Sequence, residues 1–379
     1  MPSGPGLSKY RFPVVRSAFP APEEWLPYLE ESYAHNLFTN FGPVANRFET
    51  ALAAQFGEAG DAFVAVSSAT AGLAACLIAQ RVTGVVLVPA FTFPASAGAI
   101  RMAGAEPMLV DADPVTWACD VQKLGRALDR TNAEAVMLVA PFGICQDFSA
   151  HVALCQSRGV AVVIDNAAGL GGGPRSRRRL RGEAYEVYSL HATKPFGIGE
   201  GGVVQTTADR AAGVRAAINF GFPQGAPEHR SRWGINGKMS EFAAAVGMAM
   251  LDRYGDVLAI RHRQAQRYIE LFAGFGDIAI QHGVTDAPWH VFPCLLPSPA
   301  AAADFTEEAA RRGLEVRRYY RPSLSRWGGI ATTGKCQVSE MLAERMICLP
   351  IYTRTTAGEI AELHRIIKAC LTRSLKQAA

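Results

Sequence analysis

Short unbroken runs of Val, Ile, Leu and Ala alternate along this chain with stretches whose apolar residues recur every three or four positions. From about residue 46 the pattern predicts a helix over RFETALAAQFG, a strand over AFVAVSS, a helix over TAGLAACLIAQRV and a strand over GVVLVP. A helix over PASAGAIRMAG, strands over EPMLVDAD and AEAVMLVAPFG, a helix over DFSAHVALCQSRG and a strand over VAVVID continue the series. A strand that is apolar at every position is covered on both faces, and such strands joined by helices run parallel. The expected fold is therefore α/β, a large domain with a mostly parallel sheet covered by helices, wound right-handedly.

The flanks read differently. Residues 1 to 45 are irregular apart from one helix, over EEWLPYLEESYAHNLF, which TNFGP (39–43) stops. The alternation ends near residue 205. The segment NGKMSEFAAAVGMAMLDRYGDVLAIRHRQAQRYIELFAGFG (236–276) reads as one nearly continuous helix, long enough to leave one domain and enter another. HVFPCLLP, AAADFTEEAARRGL, EVRRYYRP and the final helix TTAGEIAELHRIIKACLTRSL then form a mixed α+β unit. With 379 residues, too many for one core, the expected division is a large domain at 1–250, N-terminal segment included, and a small C-terminal domain at 251–379.

Composition narrows the class. The chain is 49% hydrophobic and 19% charged, as a globular protein with a sizeable core is. A net charge of +4 over this length argues against a nucleic-acid partner. The eight cysteines include no CxxC pair, so neither a metal site nor a disulfide framework is expected. No apolar signal core opens the chain and no run of 18 apolar residues occurs, so the reading is a soluble cytoplasmic protein with no membrane partner.

Candidate chemistry gathers at the strand ends, where open parallel sheets bind ligands. In AVSSATAGLAAC, Ser67, Ser68, Ala69 and Thr70 lead into a helix whose free N–H groups suit phosphate, although Ser68 or Thr70 could simply cap it. Phe91 and Phe93 follow the next strand, either as core residues or as a plate for a flat ligand. Asp165 ends VAVVID, where an ionised carboxylate needs a partner or caps the following turn. SLHATKPFGIGEGGVV brings Ser189 and Lys194. Lys194 is one of seven lysines among 38 basic residues, in a nearly uncharged glycine-rich setting. Arg cannot shed its proton; a desolvated Lys can, and its free amine is a nucleophile. Phosphate cradle, ring stacker, ring-nitrogen carboxylate and lysine together are the needs of pyridoxal 5'-phosphate (PLP), which is bound as a lysine Schiff base.

Several stretches resemble the DegT/StrS family of PLP-dependent sugar aminotransferases, of the aspartate-aminotransferase fold type I. They are TNFGPVANRFE, VPAFTFPASAGAI, GAEPMLVDADPVTWACD, SLHATKPFGIGEGGVV, GINGKMSEFAAAVGMAMLD and CLPIY, in the family's order. The resemblance implies that Ala69 (through its backbone), Thr70 and Ser189 bind the cofactor phosphate, Phe93 stacks on its ring and Asp165 holds its nitrogen. It implies Lys194 as the catalytic amine, and Asn236 reaching the phosphate from a neighbouring subunit of a homodimer with shared active sites. It also implies amino transfer from glutamate or glutamine to a keto group on a nucleotide-linked sugar. Lysine at 194 sets the chain apart from the members that deoxygenate sugars, which carry His there. One departure stands out: Ala168 lies where the family usually has His or Gln, leaving Asn166 or water to substitute.

Two other readings stay open. The acceptor could be a cyclitol or a non-sugar ketone or aldehyde of a natural-product pathway, or the chain could be a PLP-free regulatory protein. The arginine run RSRRRLR (175–181) could grip a diphosphate or be a solvated loop, and EVRRYYRP could face the cleft or form a charged edge strand.

Overall fold

The computed structural model describes residues 9–144, 147–172, 184–223, 233–281 and 287–376; the arginine run lies outside them. In the N-terminal part the chain forms α1 (Pro22–Trp25), α2 (Glu30–His35), α3 (Pro43–Phe56), β1 (Asp61–Val66), α4 (Ala69–Ala79), β2 (Val85–Pro89), α5 (Pro94–Met102) and β3 (Glu106–Val110). Then come α6 (Val121–Leu128), β4 (Ala133–Val139), α7 (Ser149–Gln156), β5 (Ala161–Asp165), β6 (Tyr185–Ser189), β7 (Gly202–Thr207) and α8 (Ala208–Ala217). The remainder comprises α9 (Glu241–Phe272), β8 (Ala279–Ile280), β9 (Phe292–Leu295), α10 (Pro299–Arg311), β10 (Ala331–Thr332), α11 (Gln337–Arg345), β11 (Met346–Leu349) and α12 (Ala357–Lys376). Pro27 splits the expected N-terminal helix: a 3-10 turn over Leu26–Leu29 separates α1 from α2.

Eight strands form the large sheet in the order β1-β7-β6-β5-β4-β2-β3-β10. Every neighbouring pair from β6 to β10 is parallel, while β7 is antiparallel to both β1 and β6. The sheet is thus mostly parallel with one reversed strand. Alternate residues of each strand enter different cores. Val86, Val88 and Val163 pack with Leu73 and Leu77 of α4, whereas Leu87, Val162 and Ile164 pack with Leu124 of α6 and Val152 of α7. Burial on both faces is why these strands read as unbroken apolar runs.

Helix α9 opens on a Ser240 cap, whose Oγ accepts from Ala243 N at 3.2 Å. Its first half, with Tyr254 and Val257, packs under the large sheet; its second half, with Ala265, Tyr268 and Phe272, packs in a separate core around the sheet β11-β9-β8. That second core also takes Phe12 and Val14 from the N-terminus and Phe91, Trp117 and Phe142 from loops of the large sheet. The C-terminal part therefore sits against the strand ends. It also returns to the large sheet, since Ala331 and Thr332 pair with Met108 and Leu109.

Candidate active site

The strand order reverses between β2 and β4. From β2 the chain winds outward to β3, then restarts at β4 and continues through β5 and β6 in the opposite direction. Such a switch point opens a crevice beyond the carboxyl ends of the strands. A cavity of about 330 Å³ lies there, and Ala69, Thr70, Phe93, Asp165, Ser189 and Lys194 all line it. The structure thus brings together six of the seven residues to which the resemblance assigns roles. The seventh, Asn236, is exposed and does not line this cavity. It forms an isolated bridge with Asn219, and its Oδ1 accepts from Lys238 Nζ at 2.9 Å.

Each side chain is placed by its local chain. At the start of α4 Ser68 does cap the helix, its Oγ accepting from Ala71 N at 3.1 Å. Capping and anion binding are compatible here, because Ser68 takes the Ala71 N–H while Ala69 and Thr70, just before it, line the cavity. The helix start can lie on the sheet only because position 202 is glycine: a Cβ there would come within 2.5 Å of Ala69 N. Phe91 and Phe93, two residues apart, part ways. Phe91 is fully buried, 5.2 Å from the Tyr320 ring, while Phe93 is 53% exposed at the N-cap of α5.

The lysine loop is a closed turn between β6 and β7. Ile198 N donates to Leu190 O, Leu190 N to Gly201 O and Ala192 N to Gly199 O, at 2.7–2.9 Å. Gly199 has φ +96, in the region that favours glycine, and a Cβ on Gly197 would meet Ala192 O at 2.8 Å. The glycines of GIGEGG therefore hold the loop shut around Lys194.

Electrostatics single out the Asp165–Lys194 pair. Asp165 is 6% exposed. Ser96 Oγ donates to its Oδ2 at 2.7 Å and Ala167 N to its Oδ1 at 3.2 Å. Burial nevertheless raises its pKa, opposed by Ser96, Ala167 and the Lys194 charge. Burial also lowers Lys194 to about 8, against the pull of Asp165. For both groups desolvation outweighs attraction. Asp165 both caps its turn and lines the cavity, so capping leaves it free to face a ligand.

Two further residues of the site carried no signal in the sequence: Ser96, which backs Asp165, and His290 on the cavity wall. Ser96, which accepts or donates with Thr92 at 2.8 Å and fixes Asp165, lay unmarked inside PASAGAIRM. His290 was read as the start of an apolar strand. EVRRYYRP resolves toward the cleft: Arg317, Tyr319 and Tyr320 line the cavity, with Arg317 in an isolated bridge to Cys348. Ala168 lines the cavity too. Asn166 does not stand in for a side chain there. It is fully buried, its Nδ2 donating to Glu186 Oε1 at 2.6 Å.

Comparison with known proteins agrees with this arrangement. Residues 21–368 match the model of the DegT/DnrJ/EryC1/StrS aminotransferase family. The dTDP-4-amino-4,6-dideoxy-D-glucose transaminase of Shigella dysenteriae is 27% identical over 91% of this chain and 95% of its own. GDP-perosamine synthase of Caulobacter vibrioides is 29% identical over 60% of this chain and 62% of its own. The crystal structure of DesI with its TDP-sugar product superposes with a TM-score of 0.84 at 28% identity, covering 96% of this chain and 93% of that one. Among the described residues no helix is long and apolar enough to cross a membrane.

Proposed function

The chain belongs to the DegT/DnrJ/EryC1/StrS family of aminotransferases, which are PLP-dependent enzymes, and we propose that it moves an amino group from glutamate or glutamine to a keto group of a nucleotide-linked sugar, with PLP held through Lys194. The observation that carries this reading is the convergence of a depressed lysine, a buried strand-end acid and an open helix start on one cavity. The residues fit the cofactor. Asp165 bears a burial cost that Ser96, Ala167 and Lys194 do not offset, and a protonated ring nitrogen beside it would.

In this reading the Ala69 N–H, Thr70 and Ser189 hold the phosphate at the positive end of α4. Phe93 offers its open ring face, and Asp165, fixed by Ser96 and Ala167, receives the ring nitrogen. When bound, PLP supplies an electrophilic aldehyde and a ring that draws electrons from the carbon bearing the amine. Lys194 Nζ does the rest. With a pKa near 8 a useful fraction is neutral at physiological pH, so this amine would be the group that holds the aldehyde. When not holding the cofactor, the same Nζ would be the base that holds and moves the donor's α-proton.

A homodimer with Asn236 reaching the partner's phosphate is consistent with an exposed aromatic surface around it. Phe38 stacks on Phe242 at 6.0 Å, Lys238 lies over Phe220 at 4.5 Å, and Trp233 is 78% exposed. The test is a yellow holoprotein whose absorbance is bleached by borohydride, with the label on Lys194. Turnover of nucleotide-linked keto sugars, from glutamate or glutamine, completes it. Turnover confined to cyclitol ketones or simple aldehydes overturns the sugar acceptor, and a colourless protein unaltered by borohydride overturns the enzyme reading.

A further inference from the structure

His290 lies just before β9, 8% exposed, and its Nε2 has no hydrogen-bond partner among the described residues. A buried imidazole nitrogen left unpaired costs free energy unless a ligand completes it. The nitrogen is not sealed in the core. His290 lines the cavity described above and a smaller chamber behind it, and Lys194 lines both. Its own backbone is firmly held. Arg261, buried in α9, donates Nε and Nη2 to Trp289 O and Nη2 to His290 O, at 2.6–2.9 Å.

Burial lowers the His290 pKa most, and the charges that bear most on it, Lys194, Arg261, Arg317 and His191, press it the same way. Arg317 lines the same cavity, steadied by Tyr319 Oη at 2.7 Å and Glu315 at 3.3 Å. A neutral imidazole donor with a guanidinium on the same wall suits an anion. The shared walls decide which anion: His290 and Lys194 line both the cavity and the smaller chamber. Lys194 must reach the carbon that carries the transferred amine, so an anion seated next to Lys194 belongs to a group attached directly to that carbon. In an amino acid donor that group is the α-carboxylate. The diphosphate of a nucleotide-linked sugar sits across the sugar ring from its ketone.

We propose that His290 Nε2, flanked by Arg317, binds the α-carboxylate of the amino donor. The inference rests on the aminotransferase reading above. It extends that reading by assigning the donor's recognition to the segment before β9 and to EVRRYYRP rather than to the strand-end loops.

The test uses the PLP-loaded parent with His290→Leu and His290→Gln, the second keeping a side-chain N–H. His290→Leu should raise the KM of glutamate and of glutamine alike by about tenfold to a hundredfold, the worth of a hydrogen bond to a charged group. Its kcat and its KM for the keto acceptor should stay within about threefold, since the lost contact is made in ground and transition states alike. His290→Gln should recover part of the donor KM. Binding of unreactive glutarate, measured by calorimetry, should weaken in His290→Leu by a comparable factor. A loss confined to glutamate would move the contact to the distal carboxylate, and a loss confined to the acceptor would make it an acceptor site; either overturns the proposal, as does an unchanged donor KM. A parent that takes up no PLP fails the aminotransferase reading instead, so the two failures are distinguishable.

Discussion

Replacing Lys194 by methionine should stabilise the protein once it is freed of cofactor. An ordinary lysine titrates near 10.5, whereas Lys194 titrates at about 8 because burial penalises its charge more than Asp165 rewards it. At pH 7 the folded chain must therefore keep a proton on an amine whose surroundings disfavour it. The gap corresponds to about 3 kcal/mol as an upper figure, and the attraction of Asp165 is already netted out of it. Water entering the cavity relieves part of this, so the expected gain is about 1–3 kcal/mol. Methionine keeps the apolar stem and approximate volume, so no cavity penalty offsets the gain. The sign follows from proton linkage. Between pH 8 and 10.5 the unfolded chain holds the lysine proton more tightly than the folded one, so the parent gains stability from this group as pH rises through that window. The variant has no such group, and its advantage should be largest at pH 7 and fade above pH 10. Urea unfolding of both proteins after hydroxylamine treatment and dialysis, at pH 7, 8.5 and 10, measures the difference. A variant less stable than the parent at pH 7, or an advantage independent of pH, would refute the claim that Lys194 is held there at a cost.

The remaining expectations concern the same cavity. Asp165→Asn removes the buried carboxylate we propose for the ring nitrogen, a pairing worth about 4 kcal/mol at 4 Å before desolvation is subtracted. PLP affinity should fall at least about tenfold and turnover about a hundredfold, with far-UV circular dichroism unchanged; full activity would remove Asp165 from the site. Gly202→Val places side-chain carbon 2.5 Å from Ala69 N, so it should cost about 1–3 kcal/mol by thermal melting and weaken PLP binding. Gly98→Ala, where a Cβ meets nothing within 4 Å, should leave PLP binding untouched. The rate of PLP uptake by the cofactor-free protein should rise with pH through about 8 as Lys194 loses its proton, followed by stopped-flow absorbance; a flat profile from pH 7 to 9 would contradict it.

How much of this could be read from the sequence follows from what burial does to residue choice. Strands β2, β4 and β5 are covered on both faces, so their sequences became unbroken apolar runs and announced themselves. Asp165 was conspicuous because it ends such a run, and Lys194 because lysine is scarce and its surroundings are glycine. The reversed direction of β7 was not legible. It follows from the tight closed turn that carries Lys194, whose Leu190–Gly201 and Leu190–Ile198 bonds turn the chain straight back beside β6. Phe91 and Phe93 share one hydrophobic stretch; both meet Tyr320, but only Phe91 is also packed on Phe142 and buried, while Phe93 stays half exposed.

His290 shows why the second core's share of the site escaped notice. In WHVFPCLL it looks like one polar residue at the edge of a buried strand, and most such histidines are satisfied by a neighbour. What distinguishes it is a missing partner at Nε2 beside Lys194, 96 positions earlier in the chain, on a cavity closed by Arg317 and Tyr320 from a third segment. No spacing rule links these three stretches, because the switch point of one sheet and the core of another bring them together only after both have formed. The strand-end loops, by contrast, are local to the elements that position them, so their chemistry is written next to their structure. On the roles proposed above, recognition of the cofactor is encoded in contiguous motifs, and recognition of the amino donor in how the second core docks onto the first. Substitutions that loosen that docking, around Phe91, Phe142 and Tyr320, should raise the donor KM before they affect PLP affinity.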